Sequence, residues 1–305
     1  MADTSKPSRR DFTKGSLMAG MGALLGSHPS PAVAGMIRAS SAVRLKVGCA
    51  AYSFRTYLDL KKPKMTLEEF ITHCAEWGAD GVELTEYYFP KPVTQAYLLR
   101  VKRLAVASGL AITGTPIGNR FTLPPGEARE SQITSVRRWI DVAADLGAPT
   151  VRIFAGGAPQ GTDPSQARKW AVECIESCLD QAAKRGVILV LENDGGVTSD
   201  AEGTLEIVRA VRSEWFGMNL DTGNFQTADP YSDIERCAPH AVTCHFKTAI
   251  IRKGEKKGEP ADLPRMIEIL RKANYRGYLN LEYEGEEDSM TAVPRYLEVI
   301  RKLVG

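Results

Sequence analysis

From residue 45 to the end of the chain, short apolar runs alternate with longer amphipathic stretches. The short runs cover 45–51, 81–84, 110–115, 150–154, 187–191, 216–220, 241–246 and 277–281. Most are β-branched or aromatic and lack strict apolar–polar alternation, as expected of parallel strands buried on both faces. The longer stretches, 66–77, 93–107, 128–146, 164–185, 200–211, 231–237, 263–273 and 289–303, carry a helical period. Thr66 and Glu69 form a capping box, and Asp163 caps a helix that starts on Pro164. Gly78, Gly109, Gly147 and Gly186 stand where helices should end. Eight strand–helix pairs in about 260 residues predict an α/β fold, a parallel eight-stranded (β/α)₈ TIM barrel. The competing doubly wound sheet would carry a Gly-rich phosphate loop after its first strand. Here that strand runs into Tyr52-Ser53-Phe54-Arg55 instead.

Residues 1–34 break this pattern. Ser8-Arg9-Arg10-Asp11-Phe12 reads as a twin-arginine export signal, followed by the weakly apolar stretch 15–26 and the small-x-small site Ala32-Val33-Ala34. The expected organisation is a signal peptide over 1–34 and a single barrel domain over 35–305. The twin-arginine export machinery would then be a partner and the periplasm the destination. That route carries folded proteins, which suits a cofactor loaded before export. No apolar run approaches the ~18 residues of a membrane span, so no stable membrane anchor is expected.

Composition is that of a globular protein, 43% hydrophobic and 25% charged. Of the 39 bases and 37 acids, four bases and two acids fall in residues 1–34, leaving the rest in balance. A neutral balance gives no electrostatic basis for binding nucleic acid. The basic run from Arg252 to Lys257 sits in a Gly-containing segment and reads as a solvated loop. The six cysteines form no Cys-x-x-Cys pair and read as free, buried thiols.

In a barrel, residues at the C-terminal ends of the strands converge on one face. Four consecutive apolar runs end on metal-competent side chains: Glu192, Asp221, His245 and Glu282. A carboxylate after an apolar run is costly unless a charge meets it, and a divalent cation would meet three at once. Three carboxylates and one imidazole form a mainly oxygen site suited to Mn²⁺, with Mg²⁺ or Co²⁺ as alternatives. Lys247, two residues past His245, projects to the same side and either holds a substrate oxygen or pairs with an acid. Arg152, inside the fourth strand, needs a carboxylate that Glu83 or Glu192 can supply. Glu83 either supports the site from behind or lines the pocket, and Asn193 orients the loop after strand five.

These residues resemble the xylose isomerase-like barrel superfamily, in its sugar phosphate isomerase and epimerase branch. The likeness runs from Leu45 to the C-terminus. It includes Val47-Gly48, Tyr52-Ser53, Trp77-Gly78-Ala79-Asp80-Gly81-Val82-Glu83-Leu84, Gly147-Ala148 and Val151-Arg152. Glu192, Asp221, His245 and Glu282 match that family's metal ligands one for one. The resemblance implies that Glu192 and Glu282 straddle a substrate and shuttle a proton through a cis-enediolate. Arg152, Lys247, Asn224 and Glu83 are the expected substrate contacts. Two positions depart from the relatives. Asp194 stands where many carry a His, and Asn224 stands where the ketose 3-epimerases carry one. Endonuclease IV is excluded, because its three-zinc site needs many histidines and residues 35–305 hold only His73, His240 and His245.

The expected function is a metal-dependent isomerase or epimerase of a small sugar or keto-sugar. The alternative is a lyase or dehydratase on an inosose or 3-keto-glycoside, using the same metal–enolate site. A non-catalytic carbohydrate-binding barrel would need no pair of positioned bases. The long segments 116–127, 155–163 and 248–262 are expected to rim the pocket. A homo-oligomer is compatible with the sequence.

Overall fold

The computed structural model describes residues 44–305. The expected signal peptide lies outside the described residues. Eight parallel strands form the barrel: β1 Lys46–Ala50, β2 Gly81–Glu83, β3 Ala111–Gly114, β4 Thr150–Ile153, β5 Ile188–Glu192, β6 Phe216–Asp221, β7 Ala241–Phe246 and β8 Tyr278–Leu281. The helices that follow them are α1 Leu67–Glu76, α2 Gln95–Ala107, α3 Glu127–Leu146, α4 Pro164–Arg185, α5 Ala201–Ala210, α6 Pro230–Cys237, α7 Leu263–Lys272 and α8 Ser289–Val304. All sixteen expected elements are present, each within a residue or two of its expected bounds.

Adjacent strands pair in parallel from β4 through β5, β6, β7, β8, β1 and β2 to β3. The β3–β4 seam is drawn together by the Thr115 N–H donating to the Thr150 carbonyl at 3.0 Å, and by Thr150 Oγ1 donating to the Thr113 carbonyl at 3.1 Å. The barrel is therefore nearly closed. Strands such as β4 and β6 are buried along their whole length, which accounts for their unalternating composition.

Local signals set the helix ends. Thr66 and Glu69 exchange both bonds of the capping box, and Asp163 accepts from the Ser165 N–H ahead of Pro164. Gly147 and Gly186 close α3 and α4 in the left-handed region, at φ 82° and 65°, where a Cβ would be strained. In α1 the apolar side chains Leu67, Phe70, Ile71 and Cys74 recur at helical spacing and pack against the barrel. All six cysteines are buried free thiols, as expected.

The segment after β7 is more ordered than its composition suggested. Ala249–Ile250 and Glu259–Pro260 pair as a short antiparallel hairpin, with Arg252 half-buried and Lys253 to Lys257 exposed at its tip. Gly and Lys residues hide so short a ladder from any period-2 reading. Among the described residues, no helix is long and apolar enough to cross a membrane.

Candidate metal centre

Glu192 ends β5, Asp221 ends β6, His245 is the penultimate residue of β7, and Glu282 follows β8. Parallel register sets Asp221 beside His245 and carries all four to the same rim. One ligand atom from each lies within 4.8 Å of every other. His245 Nδ1 is 3.1 Å from Glu192 Oε2, 3.3 Å from Glu282 Oε2 and 3.9 Å from Asp221 Oδ2.

Two atoms in this cluster carry the argument for a cation. His245 Nδ1 and Asp221 Oδ2 are fully buried and have no hydrogen-bond partner. Such atoms ordinarily cost ~1–3 kcal/mol each to leave unsatisfied. Both turn toward the point that the glutamates also face. With three carboxylates and an imidazole, the donor set fits one hard or borderline divalent cation.

Each ligand is held from behind. Glu83 Oε2 lies 2.6 Å from His245 Nε2, so that nitrogen is committed and Nδ1 faces the centre. Asp221 Oδ1 accepts from the Gly223 and Asn224 N–H groups at 2.8 and 3.0 Å, leaving Oδ2 without a hydrogen bond. Asn193 braces the end of β6, donating to the Asp221 carbonyl and accepting from its N–H, both at 2.9 Å. Glu192 receives Asn219 Nδ2 at 2.8 Å and Asn224 Nδ2 at 3.4 Å, with Arg152 Nε 3.0 Å from its Oε2. Lys247 Nζ sits 2.7 Å from Glu282 Oε2, 3.4 Å from Asp221 Oδ2 and 2.5 Å from Glu284 Oε1.

The titration of the cluster shows the same crowding. Burial alone would lower the His245 imidazole, yet Glu282, Glu83 and Glu192 hold it well above its ordinary value. Burial lifts the Asp221 carboxyl well above the usual carboxylate range, with Glu192 and Glu282 adding to it against Lys247. For Glu192 burial works upward, but Arg152 and His245 bring the carboxyl below its usual value. For Glu282 burial again works upward, and His245 and Lys247 override it, holding the group well below. Without a metal, both His245 and Asp221 therefore hold their protons more tightly than they would in water.

A cavity of about 310 Å³ opens on this face, lined by Tyr52, Tyr87, Arg152, Phe154 and Asp194 together with Glu192, Glu282, Asn224, Lys247 and Glu284. The structure thus brings Arg152, Lys247 and Asn224 to the cavity wall. Glu83 is not on that wall. It is 1% exposed and lies behind His245, the supporting position of the two open to it. Asp194 stands at the cavity mouth, raised to about 6 by partial burial and by Glu192. His73 lies on α1, stacked on Trp77, and His240 precedes β7 at the opposite end of the barrel.

Sequence reading missed Tyr52, Tyr87, Phe154 and Glu284 as cavity walls, and Asn219 as the brace of Glu192. Asn219 was findable. It lies two residues before Asp221 on the same strand and so faces the same interior. The same spacing puts Thr243 beneath His245 and Asn280 beneath Glu282, giving the barrel a polar layer under the site. Thr243 Oγ1 donates to Asn219 Oδ1 at 2.7 Å, and Thr113 Oγ1 donates to Asn280 Oδ1 at 3.0 Å.

Comparison with known proteins agrees with this architecture. The family model described as xylose isomerase-like TIM barrel matches residues 71–303. Among solved structures, a xylose isomerase-like TIM barrel protein from Mycobacterium smegmatis in complex with magnesium is 19% identical, with a TM-score of 0.67, covering 87% of this chain and 98% of its own. A D-psicose 3-epimerase with D-tagatose from Clostridium cellulolyticum H10 is 14% identical, with a TM-score of 0.70, covering 85% and 99%. A 3-keto-D-glucoside 4-epimerase from E. coli is 17% identical, with a TM-score of 0.66, covering 85% and 99%. None of the curated proteins matches the sequence. At these identities the solved structures speak for the fold.

Proposed function

The chain belongs to the xylose isomerase-like TIM barrel family, and from that premise we propose that it is a divalent-metal-dependent isomerase or epimerase of a small sugar or keto-sugar. One observation carries the reading. Glu192 and Glu282 both meet at His245 Nδ1 and both line the one cavity, so two carboxylates face a single bound molecule.

Glu192, Asp221, His245 and Glu282 would hold the metal, Mn²⁺ by preference and Mg²⁺ or Co²⁺ otherwise. A divalent metal bound there would polarise the substrate's carbonyl and neighbouring hydroxyl and so acidify the C–H between them. Glu192 and Glu282 are ionised by their cationic neighbours, and a carboxylate of low pKa is a competent base only toward such a strengthened carbon acid. One of them takes the proton α to the carbonyl, leaving a cis-enediolate. The other returns a proton to the opposite face or the adjacent carbon. Arg152, Asn219 and Asn224 keep the Glu192 carboxylate in place, and Lys247 does the same for Glu282. Tyr52, Tyr87 and Phe154 give the cavity aromatic walls that would displace water from a bound sugar.

A second reading rests on Asp194. It adds to the cavity wall a carboxyl that proton shuttling does not need and that, unlike Glu284, is not paired with Lys247. An acid there could protonate a leaving group β to the enediolate and turn the reaction into a lyase on an inosose or 3-keto-glycoside. We also propose export through the twin-arginine machinery to the periplasm, on the motif at Arg9-Arg10. An Arg9→Lys, Arg10→Lys chain should then stay in the cytoplasm, and its unchanged export would remove that reading.

The deciding experiment incubates Mn²⁺-loaded protein with ketoses, inososes and 3-keto-glycosides in D₂O. Deuterium entering the carbon α to the carbonyl, with no water or aglycone released, supports isomerisation. Stoichiometric release supports the lyase. No exchange with any of them defeats both.

A further inference from the structure

A second cavity of about 370 Å³ adjoins the first, and the two share the walls Asn224, Lys247, Glu282 and Glu284. It extends from the metal centre to the hairpin after β7, where Thr248, Ala249 and Ile251 form one side and Lys257 another. Either cavity alone is at the small end of the ~300–1,000 Å³ typical of ligand sites. The inner one carries both bases, Glu282 stands at the junction, and the walls found only in the outer cavity have no part in the proton shuttle.

The outer walls specify what would fit. Gln226 offers an amide donor and acceptor, Lys257 a donor and Glu286 an acceptor, all on exposed side chains. Ala249 and Ile251 add small apolar surface between these groups. A wall with both hydrogen-bonding and apolar groups suits a hydroxylated ring, with its oxygens and its C–H faces. Charge argues against a phosphate. Glu282, Glu284 and Glu286 line this cavity against Lys247 and Lys257, and Lys247 is already engaged by carboxylates. With Glu282 assigned to the metal, Glu284 and Glu286 balance Lys247 and Lys257, so a dianion would meet no surplus of positive charge.

We propose that the substrate is a two-unit carbohydrate, its reacting unit in the inner cavity and a second, neutral hydroxylated unit in the outer one. This rests on the sugar isomerase or epimerase reading for the inner cavity and adds the substrate class. It also assigns the hairpin a role: its first strand presents Ala249 to the second unit.

Binding tests the proposal separately from catalysis. The Mg²⁺-loaded full chain is titrated calorimetrically with glucose, fructose, glucose 6-phosphate, maltose, cellobiose, trehalose and sucrose. At least one disaccharide should bind about tenfold or more tighter than its component monosaccharides, while glucose 6-phosphate binds no tighter than glucose. Ala249→Trp fills the outer cavity from an exposed position and should erase the disaccharide's advantage while leaving monosaccharide affinity unchanged. Gln226→Ala, which removes only a polar arm, should reduce that advantage about threefold or more and guards against a misfolded Trp variant. The proposal is overturned by any one of three results: no disaccharide advantage, an advantage that survives both substitutions, or tighter binding of the phosphate. Deuterium exchange reads the inner cavity by itself. A disaccharide advantage without exchange would sink the isomerase reading alone, and exchange without the advantage would sink only the two-unit substrate.

Discussion

Glu83 Oε2 and His245 Nε2 lie 2.6 Å apart, across 162 residues of sequence and fully inside the barrel. That contact decides which imidazole nitrogen is available. With Nε2 donating to Glu83, Nδ1 is the nitrogen turned to the cluster of Glu192, Asp221 and Glu282, and its lone pair would serve a metal once its proton has left. A carboxylate behind a metal-bound histidine orients the ring and strengthens it as a ligand.

Glu83→Gln keeps the shape of that contact and removes its charge. Metal affinity should fall ~10–100-fold, with the fold intact by circular dichroism. Mn²⁺ titration followed by electron paramagnetic resonance reads the change, and an affinity equal to the parent protein's would show that Glu83 does not act on the metal through His245.

Metal binding should release protons. In the metal-free protein, carboxylates hold His245 well above its ordinary value against the opposing effect of burial, and burial holds Asp221 well above its own. Both must give up a proton at the ligand atom before they can bind. Both shifts are upward, so the apparent metal affinity strengthens as pH rises and weakens as it falls. Calorimetry in two buffers of different ionisation enthalpy counts the protons. A count of zero would contradict the assigned ligand set.

The two bases can be separated. Glu192→Gln and Glu282→Gln should each lower turnover by ~10²–10⁴ at saturating metal. In a two-base shuttle the remaining carboxylate still exchanges the α-proton of the isomer it faces. Each variant should therefore wash deuterium into one isomer only, and the two variants into opposite ones. Full turnover by either variant would end the proposed mechanism.

Arg152 and Glu192 form a buried pair, both about 5% exposed or less. Removing one partner strands the other's charge, which typically costs ~3–5 kcal/mol. Arg152→Met should lower the urea midpoint of the metal-free protein accordingly, and added metal should restore part of the loss by neutralising Glu192. An unchanged midpoint in chelator would mean that the pair contributes nothing to the fold.

Much of this molecule could be read along the chain, and the reasons are local. Helix ends at Thr66, Asp163, Gly147 and Gly186 depend on residues a few positions apart. The eight strands follow from apolar runs of fixed length between helical periods. The cluster was legible because parallel strands deliver their C-terminal ends to one rim, so position after an apolar run is enough to place Glu192, Asp221, His245 and Glu282 together. Asn219 obeyed the same rule of two-residue spacing, although polarity inside a strand gave no hint of its partner.

The sequence by itself thus determined the barrel and the gathering of Glu192, Asp221, His245 and Glu282 at one rim, because period and spacing survive any detail of packing. Tertiary structure decided what lies behind and beside them. Glu83 could have faced the cavity or the histidine, Arg152 could have taken Glu83 or Glu192, and Lys247 could have stayed free for substrate. Each choice depends on the register and curvature that bring β2, β4, β5, β7 and β8 around one axis. The outer cavity depends on the same geometry, since it lies between a strand end and a hairpin whose pairing no local period announces.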